Sequence, residues 1–305
     1  MNTAAWSSPV YQQTVLIVLG FLFCSGALIY FFRKKNYYFV VSWASIKSWL
    51  IAAPILFGII GAPEPIPLIA LTFLGIFGAK IFFQILGMYH HTWFVSICYA
   101  GIVGLGISVA YERIDLFNLM PMLVLGASWF VPIARNRFKH MIQYVSLTMM
   151  CFIFLGWSFM HAGLIMKFQD GIYQLMYLII LTEFCDNTIL AISRYVGRIR
   201  FVDKINPRRT LESTGISIFL TMALAFSMRH LLPAAGEKYW HIAGLIAGLG
   251  GGFGDLAMTV VRRDIGIRDY GVFILGRGDF LNRMDRLIFV CPIYYYVMHY
   301  VAHML

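Results

Sequence analysis

The chain of 305 residues is 60% hydrophobic and 16% aromatic but only 12% charged, with a mean hydropathy of +0.75. About a quarter of a soluble domain is charged, so the composition excludes one and defines an integral membrane protein. The formal charge of +10 comes from 24 Lys and Arg against 14 Asp and Glu, and it serves either loops lying beside anionic lipid or a polyanionic ligand.

A helix crossing a hydrocarbon core of about 30 Å needs about twenty residues. Apolar runs of that length fall, in chain order, at 14–32, 43–61, 66–87, 93–111, 116–134, 143–162, 172–193, 213–232, 240–260 and 287–304. The second is the weakest, because Lys47 lies within it. The prediction is an all-α, polytopic integral membrane protein with nine to ten transmembrane helices. The opening MNTAAWSSPVYQQ has no basic start, and Arg33-Lys34-Lys35 follows the first run as a stop-transfer signal, so the first helix is expected to stay uncleaved. Basic residues follow the odd-numbered runs: Arg33 to Lys47 the first, Arg135, Arg137 and Lys139 the fifth, Arg194 to Arg209 the seventh and Arg262 to Arg286 the ninth. The loops after the even-numbered runs, such as GAPEPIP at 61–67, carry almost none. Short basic loops stay cytoplasmic, which puts both termini outside; MYHHTW at 88–93 supports this only weakly. The histidines, His90 and His91 among them, read as interfacial. Cys24, Cys98, Cys151, Cys185 and Cys291 stand singly in apolar runs and read as small core residues without a disulfide framework.

Topology requires basic residues but not carboxylates, and two segments carry both. In 182–213, TEFCDNTILAISRYVGRIRFVDKINPRRTLES, Glu183, Asp186 and Asn187 share one helix face inside an apolar run. Ionisable groups at membrane depth face a bundle interior or water-filled cavity; interhelical hydrogen bonding is the alternative. Asn206 is the expected N-cap of the next helix, with Pro207 at its first position and Glu212 in its first turns; a helix start flanked by Arg208 and Arg209 also suits a phosphate. The second segment, 254–287, GDLAMTVVRRDIGIRDYGVFILGRGDFLNRMDRL, holds eleven of the charged residues. Gly244, Gly248, Gly250, Gly251, Gly252 and Gly254 lead into Asp255, either to let helices approach or to open the backbone to a ligand. Alternating arginines and carboxylates suit a metal-bound nucleotide, because Mg²⁺ takes one or two carboxylates plus phosphates while arginines neutralise the rest. A self-neutralising Asp–Arg network is the alternative.

This second segment resembles the C-terminal signature of the phosphatidate cytidylyltransferases (CDP-diacylglycerol synthases). The signature's parts appear as Gly254-Asp255-Leu256, Arg262-Arg263, Arg268-Asp269, Gly276-Arg277-Gly278-Asp279 and Asn282-Arg283-Met284-Asp285. Upstream, Asp186 and Asn206-Pro207-Arg208-Arg209-Thr210-Leu211-Glu212 are similar to the family's Asp and its Ser-Pro-Lys-Lys-Thr-x-Glu run. The likeness covers roughly 182–300 closely. It divides the chain into N-terminal transmembrane helices, 1–165, and a C-terminal cytidylyltransferase-like region, 166–305. The implied reaction joins phosphatidic acid, or a related lipid phosphate, to CTP with Mg²⁺, giving CDP-diacylglycerol and pyrophosphate in phospholipid biosynthesis. The implied catalytic residues are Asp255, Asp269, Asp285, Arg263 and Arg283. Asp186, Asn206, Arg208, Arg209, Thr210, Glu212, Arg262, Arg268 and Arg277 would bind substrate, and Asp255, Asp279, Asn282 and Asp285 the metal. The resemblance further implies a homodimer. The expected setting is the inner membrane with the polar loops cytoplasmic and membrane lipids around it; no nucleic acid partner is expected.

The departures are Arg277 for the family's His, Asp279 for Gly, Leu275 for Pro, Asn282 for Asp, and Arg for Lys at 262 and 268. Asp279, three residues before Asn282, would restore the carboxylate lost there if that segment is helical. Two other readings remain open at this point. One is a non-catalytic relative that keeps the fold. The other is a transporter with Glu183, Asp186 and Asp255 as a relay, disfavoured because the polar residues cluster at one end rather than through the membrane depth.

Overall fold

The computed structural model describes residues 5–32, 37–207, 209–232, 237–264 and 285–304, with the side chains of 37–42, 44, 45 and 302–304 set aside. Among the described residues ten main helices follow the ten predicted runs: α1 Pro9–Phe32, α2 Tyr37–Ile60, α3 Ile66–Ile85, α4 Thr92–Ala110 and α5 Ile114–Ala134, then α6 Met141–Met166, α7 Gly171–Ile192, α8 Leu211–Ser227, α9 Trp240–Asp264 and α10 Leu287–Met304. Seven helices among the described residues are long and apolar enough to cross a membrane; shorter apolar helices at Ile46–Ile60, Leu211–Ser227 and Leu287–Val301 occupy the other three places. The chain is thus an all-helical polytopic membrane protein.

Two compact units divide the described residues, one within 1–70 and one within 71–264 and 285–304. In the first, α1 packs on α2. Gly26 allows this approach, since a Cβ there would stand 3.1 Å from Ile46 and 3.3 Å from Leu50. The buried Tyr11 hydroxyl donates to the Phe57 carbonyl at 2.6 Å, so the one polar atom of that ring is satisfied away from water.

In the second unit α9 is the hub, packing on α7, α8 and α10. Its glycines make this possible, each toward a different neighbour. A Cβ on Gly244 would stand 2.8 Å from Met222 Sδ, and one on Gly248 3.3 Å from Ile218, both on α8. One on Gly250 would stand 3.2 Å from Val290 of α10, and one on Gly251 2.7 Å from Thr182 of α7. The small-residue reading therefore holds for the first part of the run.

The histidine reading is corrected here; the cysteine reading holds for the buried free thiols Cys98, Cys151, Cys185 and Cys291 but not for Cys24, which is exposed. His161 is not interfacial: it is buried behind a π-helical stretch of α6, Phe152–Ser158, with Nδ1 2.7 Å from the Trp157 carbonyl and four aromatic rings around it. Cys98 and Cys151, far apart in sequence, place their sulfurs 3.8 Å apart as free thiols; sequence spacing cannot show such a pair.

Candidate functional site

Four elements of the second unit bring acidic and basic side chains together. Helix α7 supplies Glu183 and Asp186, one turn apart. The segment entering α8 supplies Arg209, α9 supplies Asp255 and Arg262, and the turn before α10 supplies Asp285 and Arg286. Arg209 Nη2 stands 3.3 Å from Asp186 Oδ1 and 3.4 Å from Asp255 Oδ2, bridging α7 and α9. Arg262 Nη2 lies 2.9 Å from Asp285 Oδ2. Arg286 grips α7 with both terminal nitrogens, Nη2 2.7 Å from Asp186 Oδ2 and Nη1 on Glu183. Four carboxylates face three guanidiniums, so the fully ionised cluster carries one net negative charge.

The end of the glycine run shapes this cluster. Arg209 is 3% exposed, and its Nη1 would be 2.7 Å from a Cβ on Gly252, so that glycine makes room for the guanidinium. A Cβ on Gly254 would sit 2.2 Å from the Asp285 carbonyl oxygen, so the turn before α10 can pass only over a glycine. The close-approach reading therefore extends to these two glycines, which admit atoms of the cluster itself.

Arg209 is delivered by the start of α8. The N-cap is Thr210, whose Oγ1 accepts from the Ser213 amide at 3.3 Å while Ser213 Oγ answers the Thr210 amide at 3.2 Å. This corrects the expected Asn206 cap: Asn206 and Pro207 lie in the preceding turn, where the Asn206 carbonyl accepts from the Arg209 amide at 3.1 Å. A reciprocal Thr–Ser cap satisfies two orphan helix amides at once, which a lone Asn does not. Glu212 folds outward, its carboxylate accepting the amides of Arg198 and Ile199 at 3.2 and 3.0 Å and so tying that loop to the first turn of α8.

Asp285 is fully buried, and neither of its oxygens accepts a hydrogen bond from the described residues, the Arg262 contact being an ion pair. Burial pushes its carboxyl up to about 7, against the opposing pull of Arg262. Burial also works against the charge of Arg286, but Asp186 and Glu183 hold that side chain more firmly protonated than a free guanidinium. Arg262 Nε and Arg286 Nε have no acceptor among the described residues.

Of the residues expected from sequence, Asp186, Arg209, Asp255, Arg262 and Asp285 converge, and Thr210 caps the helix beside them. Arg263 is turned away, its Nη1 donating to the Lys204 carbonyl at 2.6 Å. Asn187 is exposed and bonds the Glu183 carbonyl at 2.8 Å on its own helix, outside the cluster. Arg208, Arg268, Asp269, Arg277, Asp279, Asn282 and Arg283 lie outside the described residues. Arg286 was not foreseen as a site residue. Its signal was the unpaired carboxylate couple Glu183 and Asp186 inside an apolar helix, which requires a cation from elsewhere.

The described residues hold no group of three His, Cys, Asp or Glu set to bind a metal ion. Asp255 and Asp285 nevertheless fit Mg²⁺ by donor chemistry: hard oxygens, one of them buried without a hydrogen bond, in the number Mg²⁺ takes from protein when phosphates and water complete its shell.

A polytopic helical bundle that gathers carboxylates and arginines at one set of helix ends defines the class as a membrane protein with a charged polar site. The particular family follows from comparison: the cytidylyltransferase family model matches residues 43–301, and the chain belongs to that family. It is similar to the uncharacterized protein YnbB of Escherichia coli (strain K12), 30% identical over 161 residues, covering 50% of this chain and 54% of that protein. It is also similar to phosphatidate cytidylyltransferases of Staphylococcus aureus (strain COL), 24% identical over 184 residues, covering 60% of this chain and 68% of that one, and of Synechocystis, 33% identical over 109 residues, covering 34% and 35%. The chain thus spans about half the length of the Escherichia coli relative.

Proposed function

We propose that this protein is a membrane-embedded cytidylyltransferase that joins CTP to a lipid phosphate, phosphatidic acid being the first choice, on the cytoplasmic side of the inner membrane. The observation that carries the reading is the convergence of Asp186, Arg209, Asp255, Arg262 and Asp285 from four elements, within a chain whose named relatives include phosphatidate cytidylyltransferases. A phosphate oxygen of the lipid attacks the α-phosphorus of CTP; the bond to the β-phosphate breaks, and pyrophosphate leaves with the electron pair. Such transfer requires positioning and charge neutralisation rather than a covalent nucleophile. Arg209 and Arg262 neutralise phosphate charge, Arg262 with a spare Nε donor. Asp255 and Asp285 would hold Mg²⁺, which when bound supplies charge stabilisation for the leaving pyrophosphate. Asp186 and Asp255 fix Arg209 between α7 and α9, and Arg286 holds Asp186 in place. The acyl chains remain in lipid while the headgroup meets the nucleotide.

The test is transfer of label from α-phosphate-labelled CTP into an organic-extractable product, with purified protein, Mg²⁺ and phosphatidic acid. Labelled lipid that requires both Mg²⁺ and the lipid phosphate supports the reading. No labelled lipid from folded protein with any lipid phosphate rejects it.

A further inference from the structure

A cationic site elsewhere in the second unit shares no residue with the Asp–Arg cluster. Helix α5 ends in a turn capped by Arg135, with Asn136 left-handed at φ 48. The Asn136 amide donates to the Ile133 carbonyl at 3.2 Å and the Arg137 amide to the Pro132 carbonyl at 3.0 Å, a Schellman closure in which Asn tolerates the left-handed position. This closure sets Arg135 and Arg137, on either side of Asn136, along one cavity of about 100 Å³, whose wall continues through His90, His91 and Trp93 at the start of α4 and Met141 of α6. The Arg135 guanidinium stands 5.4 Å from the centre of the Trp93 ring, and His91 is set 4.1 Å from the Tyr144 ring.

No Asp or Glu lines this cavity, and among the described residues none pairs with Arg135 or Arg137. Arg209, Arg229, Arg262 and Arg286, by contrast, each have a carboxylate. Membrane topology alone accounts for cations here, but not for a hollow with an indole wall and two imidazoles. Its volume is well under the roughly 300 Å³ at which small-molecule pockets begin, which excludes a nucleotide and suits one phosphate group. Arginine and tryptophan at a helix end are also the side chains that meet headgroups at a bilayer surface.

We propose that this cavity binds the phosphate of an anionic phospholipid headgroup, with Arg135 and Arg137 as its charge-assisted donors. The probes are dioctanoyl phosphatidylglycerol, whose phosphodiester is no cytidylyl acceptor, dioctanoyl phosphatidylcholine and inorganic phosphate, each titrated into the full chain in detergent while its melting temperature is read. Phosphatidylglycerol raises the melting temperature and phosphatidylcholine does not. In R135Q/R137Q half-saturation moves up about tenfold or more, whereas K139Q, in the same loop but off the cavity wall, leaves it unchanged. R137Q alone gives a smaller loss in the same direction and serves where the double variant melts early without lipid. An unchanged double variant, or K139Q weakening binding as much as the double variant, overturns the site. Inorganic phosphate matching the lipid at equal concentration overturns the lipid as its occupant.

Discussion

Two neighbouring glycines of α9 predict opposite consequences of one added methyl group. At Gly252 the new Cβ meets Arg209 Nη1 at 2.7 Å, the far end of a flexible side chain, which must recede to an ordinary contact of 3.4 Å or more. The Arg209 pairs with Asp186 and Asp255, now at 3.3 and 3.4 Å, lie at the edge of ion pairing and open with that movement. Misplacing a positioning group by about 1 Å costs on the order of 10²-fold in rate, about 2.7 kcal/mol at the transition state. Stability changes little, because alanine gains about 0.5–1 kcal/mol over glycine within a helix. At Gly254 the new Cβ meets a backbone oxygen, Asp285 O at 2.2 Å, which no rotamer can relieve. Overpacking of this kind costs about 1–3 kcal/mol or more. Gly252→Ala should therefore melt like the parent and lose kcat/KM for CTP, whereas Gly254→Ala should lose melting temperature itself. Gly126→Ala, inside α5 with nothing within 4 Å, is the control that keeps activity and gains only the helix increment of about 0.5–1 kcal/mol. Full activity in Gly252→Ala, or parental stability in Gly254→Ala, would refute the packing argument.

Two further outcomes follow from the cluster and its flanks, and a third from the sequence resemblance. Arg286→Gln leaves Glu183 and Asp186 short of their shared cation and should destabilise by about 3–5 kcal/mol; adding Glu183→Gln should recover part of it, read by melting in detergent, and no recovery would show that the pair is not coupled. Thr210→Ala removes the α8 cap and should cost about 1 kcal/mol, with Thr210→Ser near parental, whereas Asn206→Ala should cost less than Thr210→Ala. Asp279→Ala should abolish activity, while Asp279→Gly with Asn282→Asp retains it, in an assay of Mg²⁺-dependent CTP turnover; full activity in Asp279→Ala would remove Asp279 from the site.

The helical runs were legible because hydropathy and length decide whether a segment crosses a membrane, independently of its neighbours. Asp186 was legible because carboxylates at membrane depth are costly and therefore few, Asp255 and Asp285 because they stand in the segment that resembles the family signature. Neither signal could tell which arginine serves which carboxylate. Arg263 and Arg262 are adjacent in sequence, yet one turns to the Lys204 carbonyl and the other to Asp285, because successive residues on a helix point about 100° apart. The expected Asn206 cap gave way to the Thr210–Ser213 cap, where Glu212 holds residues 198 and 199 against the first turn of α8. The glycine run joined two demands in one stretch, helix approach and room for Arg209, and only the identity of each opposing atom separates them.

The most direct measurement is pyrophosphate release by the purified protein given CTP, Mg²⁺ and phosphatidic acid, beside Asp255→Asn. The account predicts release that stops when Mg²⁺ is chelated and is lost in Asp255→Asn although the variant remains folded. Undiminished release from Asp255→Asn, or none from the folded parent with any lipid phosphate, would contradict it.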